Sequence, residues 1–169
     1  MRIGILSDTH GWLDERILHH FKDCDEIWHA GDVGDVSIID HLQQLKPTIG
    51  VYGNIDGQET RSVFPETEIL LREGLKIYIT HIAGTPGRYQ NGLMSKLKEE
   101  MPKILVCGHS HILKVMPDKK LNNMLYINPG AAGRHGFHKV RTILKLEINN
   151  GKIANMQAIE LGKRGKILD

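Results

Sequence analysis

The first third of the chain alternates two hydrophobic periodicities, and that alternation constrains the fold more than any other feature. Ile3 to Leu6 is a short apolar run of the kind a buried strand makes. Leu13 to Phe21 then carries Leu13, Ile17, Leu18 and Phe21 at helical spacing. Glu26 to His29 reads as a second strand, and Val36 to Leu45 as a second helix with Val36, Ile39, Leu42 and Leu45 near one face. Pro47 ends that helix, and Thr48 to Tyr52 reads as a third strand. Strand–helix–strand–helix–strand requires parallel strands with crossover helices, because a tight turn cannot join parallel neighbours.

The middle and end change character. Glu68 to Leu71 and Leu75 to Thr80 read as a hairpin around Arg72-Glu73-Gly74, and Asn91 to Glu100 as a helix that stops before Pro102. Ile104 to Cys107 is a buried strand, and only strands follow: His111 to Val115, Leu125 to Ile127, Val140 to Ile148 and Lys152 to Ile159. Asn149-Asn150-Gly151 predicts a type I′ turn between the last two, since Asn and Gly accept positive φ. With no repeat, linker or low-complexity segment, the expected fold class is α/β, one domain over residues 1–169 with two packed β-sheets.

Composition narrows the function classes. The 22 Lys+Arg nearly balance 20 Asp+Glu, a net charge of +2 that argues against a protein built to coat nucleic acid or an anionic membrane. The short apolar stretch before Asp8 is no signal-peptide core and no apolar run reaches membrane-spanning length, so a cytoplasmic location is expected. The two cysteines, Cys24 and Cys107, provide neither a disulfide framework nor a thiolate metal site, and Cys107 ends an apolar strand as a core residue. Ten histidines are the unusual count.

The metal-capable side chains gather at strand ends. Asp8 and His10 follow the first strand, Asp32 the second, Asn54 the third, His81 the Leu75–Thr80 strand, and His109 and His111 the Ile104–Cys107 strand. In open α/β sheets this is the edge at which ligands bind. Asp8 and His10 are two apart, as are His109 and His111, so an extended chain would point each pair to one side. Gly31, Gly53 and Gly108 each precede one of these residues, where a sharp turn close to an ion is expected. Carboxylate, imidazole and amide without thiolate favour Mn²⁺, Fe²⁺, Co²⁺ or Zn²⁺ at five or six coordination. Seven side chains are too many for one ion, and the two oxygens of Asp32 would let it bridge a pair.

The ordered series Asp8-x-His10, Gly31-Asp32, Gly53-Asn54-x-Asp56, His81 and Gly108-His109-x-His111 resembles the calcineurin-like metallophosphoesterases. The short chain and Asn128-Pro129-Gly130 are similar to its small bacterial and archaeal phosphodiesterase branch, which includes the small retromer subunit of eukaryotes. The resemblance spans Met1 to about Ile159. It implies a four-layer α/β/β/α sandwich with two divalent ions, Mn²⁺ foremost, with Ni²⁺, Fe²⁺, Co²⁺ and Zn²⁺ as alternatives. By motif, Asp8, His10 and His111 would hold one ion, Asn54, His81 and His109 the other, and Asp32 both. It also implies hydrolysis of a small phosphodiester or nucleotide by a hydroxide bridging the ions, with Asp32 and His109 as the catalytic residues. The chain departs from the pattern at Ile55, where many members carry His or Cys, so a side-chain acid for the leaving group is missing there.

Other positions are open to two readings. His29 is either a hydrogen-bonded core histidine or a support for the site, and Asp56 matches an acidic residue that holds its neighbours. Arg88 and Arg134 are candidate phosphate contacts, although each also suits an ordinary surface. His135 and His138 follow Asn128-Pro129-Gly130 closely enough to line the site. Asp35 reads as a solvated loop residue, His19, His20 and His41 as incidental, and Lys163-Arg164-Gly165-Lys166 as a solvated basic tail. The competing function is a catalytically weak metal-binding scaffold for protein–protein interaction. No membrane partner is expected, nucleic acid is disfavoured, and a homo-oligomer stays open.

Overall fold

The computed structural model describes residues 1–165, so Lys166 of the basic tail lies outside the described residues. The opening unit is β1 (Arg2–Leu6), α1 (Glu15–Phe21), β2 (Glu26–His29), α2 (Ser37–Leu45) and β3 (Thr48–Gly50), with β1, β2 and β3 parallel. Next come α3 (Gln58–Val63), β4 (Thr67–Arg72), β5 (Leu75–Thr80), β6 (Gly84–Thr85), β7 (Arg88–Tyr89) and α4 (Leu93–Glu100). The chain ends in β8 (Ile104–Val106), β9 (Leu113–Asp118), β10 (Met124–Pro129), β11 (Val140–Asn149) and β12 (Lys152–Lys163), with a 3₁₀ turn at Lys119–Leu121.

Two five-stranded sheets result, ordered β12-β11-β1-β2-β3 and β4-β5-β8-β10-β9, beside the small β6–β7 hairpin. In the first sheet β11 and β12 add antiparallel to the parallel core. In the second, β5, β8 and β10 run parallel between antiparallel edge strands.

Strand alternation explains the four layers. Ile3 and Ile5 of β1, Ile77 and Ile79 of β5, Ile104 and Val106 of β8, and Leu144 and Leu146 of β11 meet in one core between the sheets. The opposite face of the first sheet, with Leu6, Ile27 and Ile143, packs on Ile17 and Phe21 of α1 and Ile39 and Leu42 of α2. The opposite face of the second, with Tyr78, Leu105 and Tyr126, packs on Leu93 and Leu97 of α4. The central strands are buried on both faces, which is why they read as unbroken apolar runs. The fold is the α/β/β/α sandwich expected. Among the described residues no helix is long and apolar enough to cross a membrane.

Several boundaries differ from the sequence reading. Asp14 caps α1 by accepting from the Arg16 N–H, so the helix starts at Glu15 rather than Leu13. Gly92, at φ 81°, delays α4 to Leu93. The strand expected from His111 begins at Leu113, because His111 itself is left-handed at φ 58°. Asn150 and Gly151, at φ 49° and 73°, form the β11–β12 turn with the positive angles expected.

Candidate metal centre

The loops after β1, β2, β3, β5 and β8 bring all seven candidate donors to one end of the sandwich. Asp8, Asp32 and His81 are buried, His10 and His111 half-buried, and Asn54 and His109 exposed. The backbone does not project them as an extended chain would. Asp8, His10, Asp32, His109 and His111 sit at φ 56°, 49°, 54°, 66° and 58°. Non-glycine residues seldom occupy this left-handed region, and such strain gathers at functional sites. Paired residues therefore converge because each turns back on its strand, which corrects the expectation of simple alternation.

The donor atoms fall into two groups, Asp8–His10–His111 and Asp32–His81–His109. In the first, His111 Nε2 lies 3.2 Å from Asp8 Oδ1 and 3.2 Å from His10 Nε2. In the second, His81 Nε2 lies 3.3 Å from Asp32 Oδ1 and 3.2 Å from Asn54 Oδ1. With metal–donor bonds of about 2.1 Å, neighbouring ligands of one ion stand about 3 Å apart, so these spacings fit a divalent cation. Asp32 faces both groups, with Oδ1 toward His81 and Oδ2 3.8 Å from His10 Nε2.

The surrounding chain fixes the donors. The Asp56 carboxylate accepts the N–H groups of Val33 at 3.1 Å, Gly34 at 2.8 Å and Gly53 at 2.7 Å, tying the Asp32 loop to the Asn54 loop. Asn128 donates to Gly108 O at 2.7 Å and to Ser110 Oγ at 3.0 Å, holding the loop of His109 and His111. Asp8 accepts from the His109 N–H at 3.1 Å, a contact between the two sheets. The glycines matter mainly by closeness. A Cβ at Gly53 would strike Asp32 Oδ1, and one at Gly108 would strike Ser7 Oγ, while neither residue needs positive φ. Gly31 needs both, at φ 94° with His81 Nδ1 2.6 Å from where its Cβ would stand.

Ring protons can be placed by their partners. His81 Nδ1–H donates to Ala30 O at 2.8 Å, so its Nε2 faces Asp32 and Asn54, donating to them when protonated and offering its lone pair to an ion when neutral. His138 Nε2–H donates to Gly133 O at 3.1 Å, so its Nδ1 accepts from His111 Nδ1–H at 3.2 Å, and the His111 Nε2 lone pair faces its group. His29 is fully buried, its Nδ1 accepting from the Gly31 N–H and its Nε2–H donating to Thr9 Oγ1. It braces residues that adjoin the donors.

Burial lowers the pKa of His10, with His111 and His135 adding to it against the pull of Asp32 and Asp8. Burial pushes His29 down to about 4. Burial opposes the Asp32 charge, but the hydrogen bond and charge of His81 outweigh it and hold the carboxyl below its usual range. Burial likewise opposes a charged His81, and the Asp32 hydrogen bond with the charges of Asp8 and Asp32 raises it nonetheless. Burial pushes the Cys107 thiol up to about 12, so it is inert.

The other candidates divide. The His135 ring lies 6.1 Å from that of His10. The Arg134 guanidinium stacks 3.6 Å over Trp12, and its buried Nε has no hydrogen-bond partner among the described residues. Arg88 is exposed on the β6–β7 hairpin and does not line the cleft of about 390 Å³ that opens beside Asn54 and His81. Arg61 and Lys96 line that cleft, and sequence reasoning missed both, because α3 and α4 carry them without a motif. Ile55 is 48 % exposed at the rim, its N–H donating to Asp32 Oδ1. Asp35 is exposed and accepts from the Ser37 N–H.

Residues 1–151 match the family model of the calcineurin-like phosphoesterase superfamily domain. The chain belongs to this family. A "Probable metallophosphoesterase" of Methanocaldococcus jannaschii is 30% identical over 166 residues, 95% of this chain and 82% of that relative. A phosphodiesterase of the same organism is 27% identical over 146 residues, 77% of this chain and 83% of its own length. Among solved structures, a novel archaeal phosphodiesterase superimposes with TM-score 0.74 at 24% identity, covering 95% of this metallophosphoesterase-family chain and 100% of that one. Wild-type Vps29 of Entamoeba histolytica complexed with Zn²⁺ gives 0.73 at 18% identity, covering 95% and 98%. At these identities the two structures show shared architecture.

Proposed function

We propose that the chain is a single-domain, dinuclear metal-dependent phosphodiesterase acting on a small phosphodiester or nucleotide, with Mn²⁺ foremost among its ions. The observation that carries this reading is Asp32, whose two carboxylate oxygens turn toward two separate donor groups. Asp8, His10 and His111 would hold one ion and Asn54, His81 and His109 the other, with Asp32 shared. Phosphodiesterase rather than monoesterase activity draws support from the archaeal relative of that name.

When bound, a pair of divalent ions supplies Lewis-acid polarisation of the phosphoryl oxygens and acidifies water near neutral pH. The protein holds the donors in place through Asp56, Asn128 and His138, so little reorganisation is needed as charge builds. The exposed His109 ring lies 5.3 Å from that of His81, where it would meet the non-bridging phosphate oxygens. Ile55 gives the leaving group no proton. Substrates whose leaving alcohol is already acidic are therefore favoured.

Metal analysis combined with turnover of bis-p-nitrophenyl phosphate in Mn²⁺ tests the reading. Wild type should bind about two ions and turn over, and Asp32→Ala should lose most metal and about a thousandfold in rate while still unfolding cooperatively. Unchanged metal content and turnover in Asp32→Ala would sink the scheme. Stoichiometric metal with no turnover of any diester would leave the scaffold reading, which the exposed Ile55 favours.

A further inference from the structure

The cleft beside the second donor group has a chemical character of its own. Asn54 and His81 form part of its lining, so a molecule seated there adjoins the proposed reaction centre. At about 390 Å³ it falls within the roughly 300–1,000 Å³ of small-molecule sites and has room for more than a phosphate. Its lining includes Tyr52 and Arg61, Tyr78 and Thr80 of β5, and the Gln90–Leu93 segment with Lys96 of α4.

The charges and hydroxyls in this cleft lack partners. Arg61 is already positioned, its Nε donating to Asp56 O at 2.7 Å and its guanidinium 4.6 Å from the centre of the Tyr52 ring. Among the described residues neither its terminal nitrogens nor the Lys96 ammonium meets a carboxylate within ion-pair distance, although Glu66 also lines the cleft. Tyr78 also lines the cleft, and among the described residues its hydroxyl makes no hydrogen bond. A lipid or plain aryl group would leave these groups unsatisfied, which disfavours such a ligand. A hydroxylated group with its own anion would satisfy them, the anion meeting Arg61 and Lys96 through charge-assisted hydrogen bonds.

Resting on the phosphodiesterase reading, we propose that this cleft is the subsite for one ester arm of the substrate, and that the arm is a sugar carrying a second phosphate. The sugar hydroxyls lie against Tyr78 and the amides of Gln90 and Asn91, and the second phosphate lies between Arg61 and Lys96. The enzyme is thereby selective for nucleotide-like diesters whose arm bears a phosphate over those whose arm is uncharged.

Two chromogenic esters differing only at the far end of the arm decide this on the Mn²⁺-loaded protein. They are the p-nitrophenyl ester of uridine 5′-phosphate and the same ester bearing a 3′-phosphate, both of which keep the 2′-hydroxyl. Wild type should prefer the 3′-phosphorylated ester by about tenfold in kcat/KM, expressed mainly in KM. Lys96→Ala should bring the ratio near one. Arg61→Ala should do the same and Arg61→Lys should keep part of it. A ratio near one in wild type, or a ratio unmoved by Lys96→Ala, overturns the subsite while turnover of bis-p-nitrophenyl phosphate keeps the phosphodiesterase reading. Should no ester turn over, that reading falls, and calorimetric binding of uridine 3′,5′-bisphosphate against uridine 5′-monophosphate decides the subsite alone. Tighter binding of the bisphosphate that Lys96→Ala abolishes supports it, and equal binding refutes it.

Discussion

A single ring nitrogen decides which face of His111 can meet an ion. His138 accepts from His111 Nδ1–H because its own Nε2–H is committed to Gly133 O, so the arrangement excludes the other tautomer. Partners of this kind typically contribute ten- to hundredfold to metal affinity. His138→Leu should therefore weaken Mn²⁺ or Zn²⁺ binding by about ten- to hundredfold in calorimetric titration, with little change in unfolding midpoint. His138→Asn, whose side-chain oxygen can occupy the Nδ1 position, should recover most of it. Equal affinities in wild type and His138→Leu would mean that Gly133–His138 merely covers the site.

Among the elements, α1 is fastened to the sheet by one carboxylate. Asp14 caps the helix, accepts from Arg16, and takes Arg141 Nη1 at 2.7 Å from β11. Arg141 is 1% exposed and also donates to Leu161 O of β12 at 2.8 Å. Burial opposes ionisation of Asp14, but the hydrogen bonds of Arg16 and Arg141 prevail and hold its pKa far below the usual carboxylate range. Asp14→Ala removes the cap and strands a buried guanidinium, which should destabilise the fold by about 3–5 kcal/mol in urea unfolding. A loss under about 1 kcal/mol would show that Leu161 O and the Trp12 ring suffice for Arg141. Elements of this kind set the limit of what the sequence discloses. β1, β5 and β8 are legible because burial on both faces leaves an uninterrupted apolar run. The α3 sequence Gln58–Val63 buries only Thr60, so no amphipathic stripe announces it. The donors are legible because each sits where an apolar run stops, whereas Arg61, Tyr78 and Asn128 acquire their places through contacts between distant segments. Left-handed backbone at His10 and His111 has no signature either, since histidine, though enriched there, adopts it in only a small minority of positions.

For the molecule as a whole, the fully buried His29 makes stability depend on pH. Its pKa falls to about 4 on folding, so between an ordinary value near 6.5 and that level the unfolded chain binds a proton that the folded one refuses. Its contribution is complete above about pH 6.5 and declines as pH falls, with roughly 3 kcal/mol lost by about pH 4. Urea unfolding in chelator from pH 7.5 to pH 4.5 should show this decline, and His29→Gln should flatten it. Parallel pH profiles for the two proteins would assign the slope to other groups.

The two donor groups share one further property. Asp8 and His10 come from one sheet and His111 from the other, and Asp32 and Asn54 likewise face His81 and His109 across the same gap. Neither half of the chain owns a complete set. An ion held at this edge would act as a rivet through both layers, because its ligands come together only when the sandwich is closed. Metal uptake would then gauge finished assembly, and stripping the ions should loosen this rim first while the opposite end of the sandwich stays shut, which hydrogen exchange with and without chelator would show.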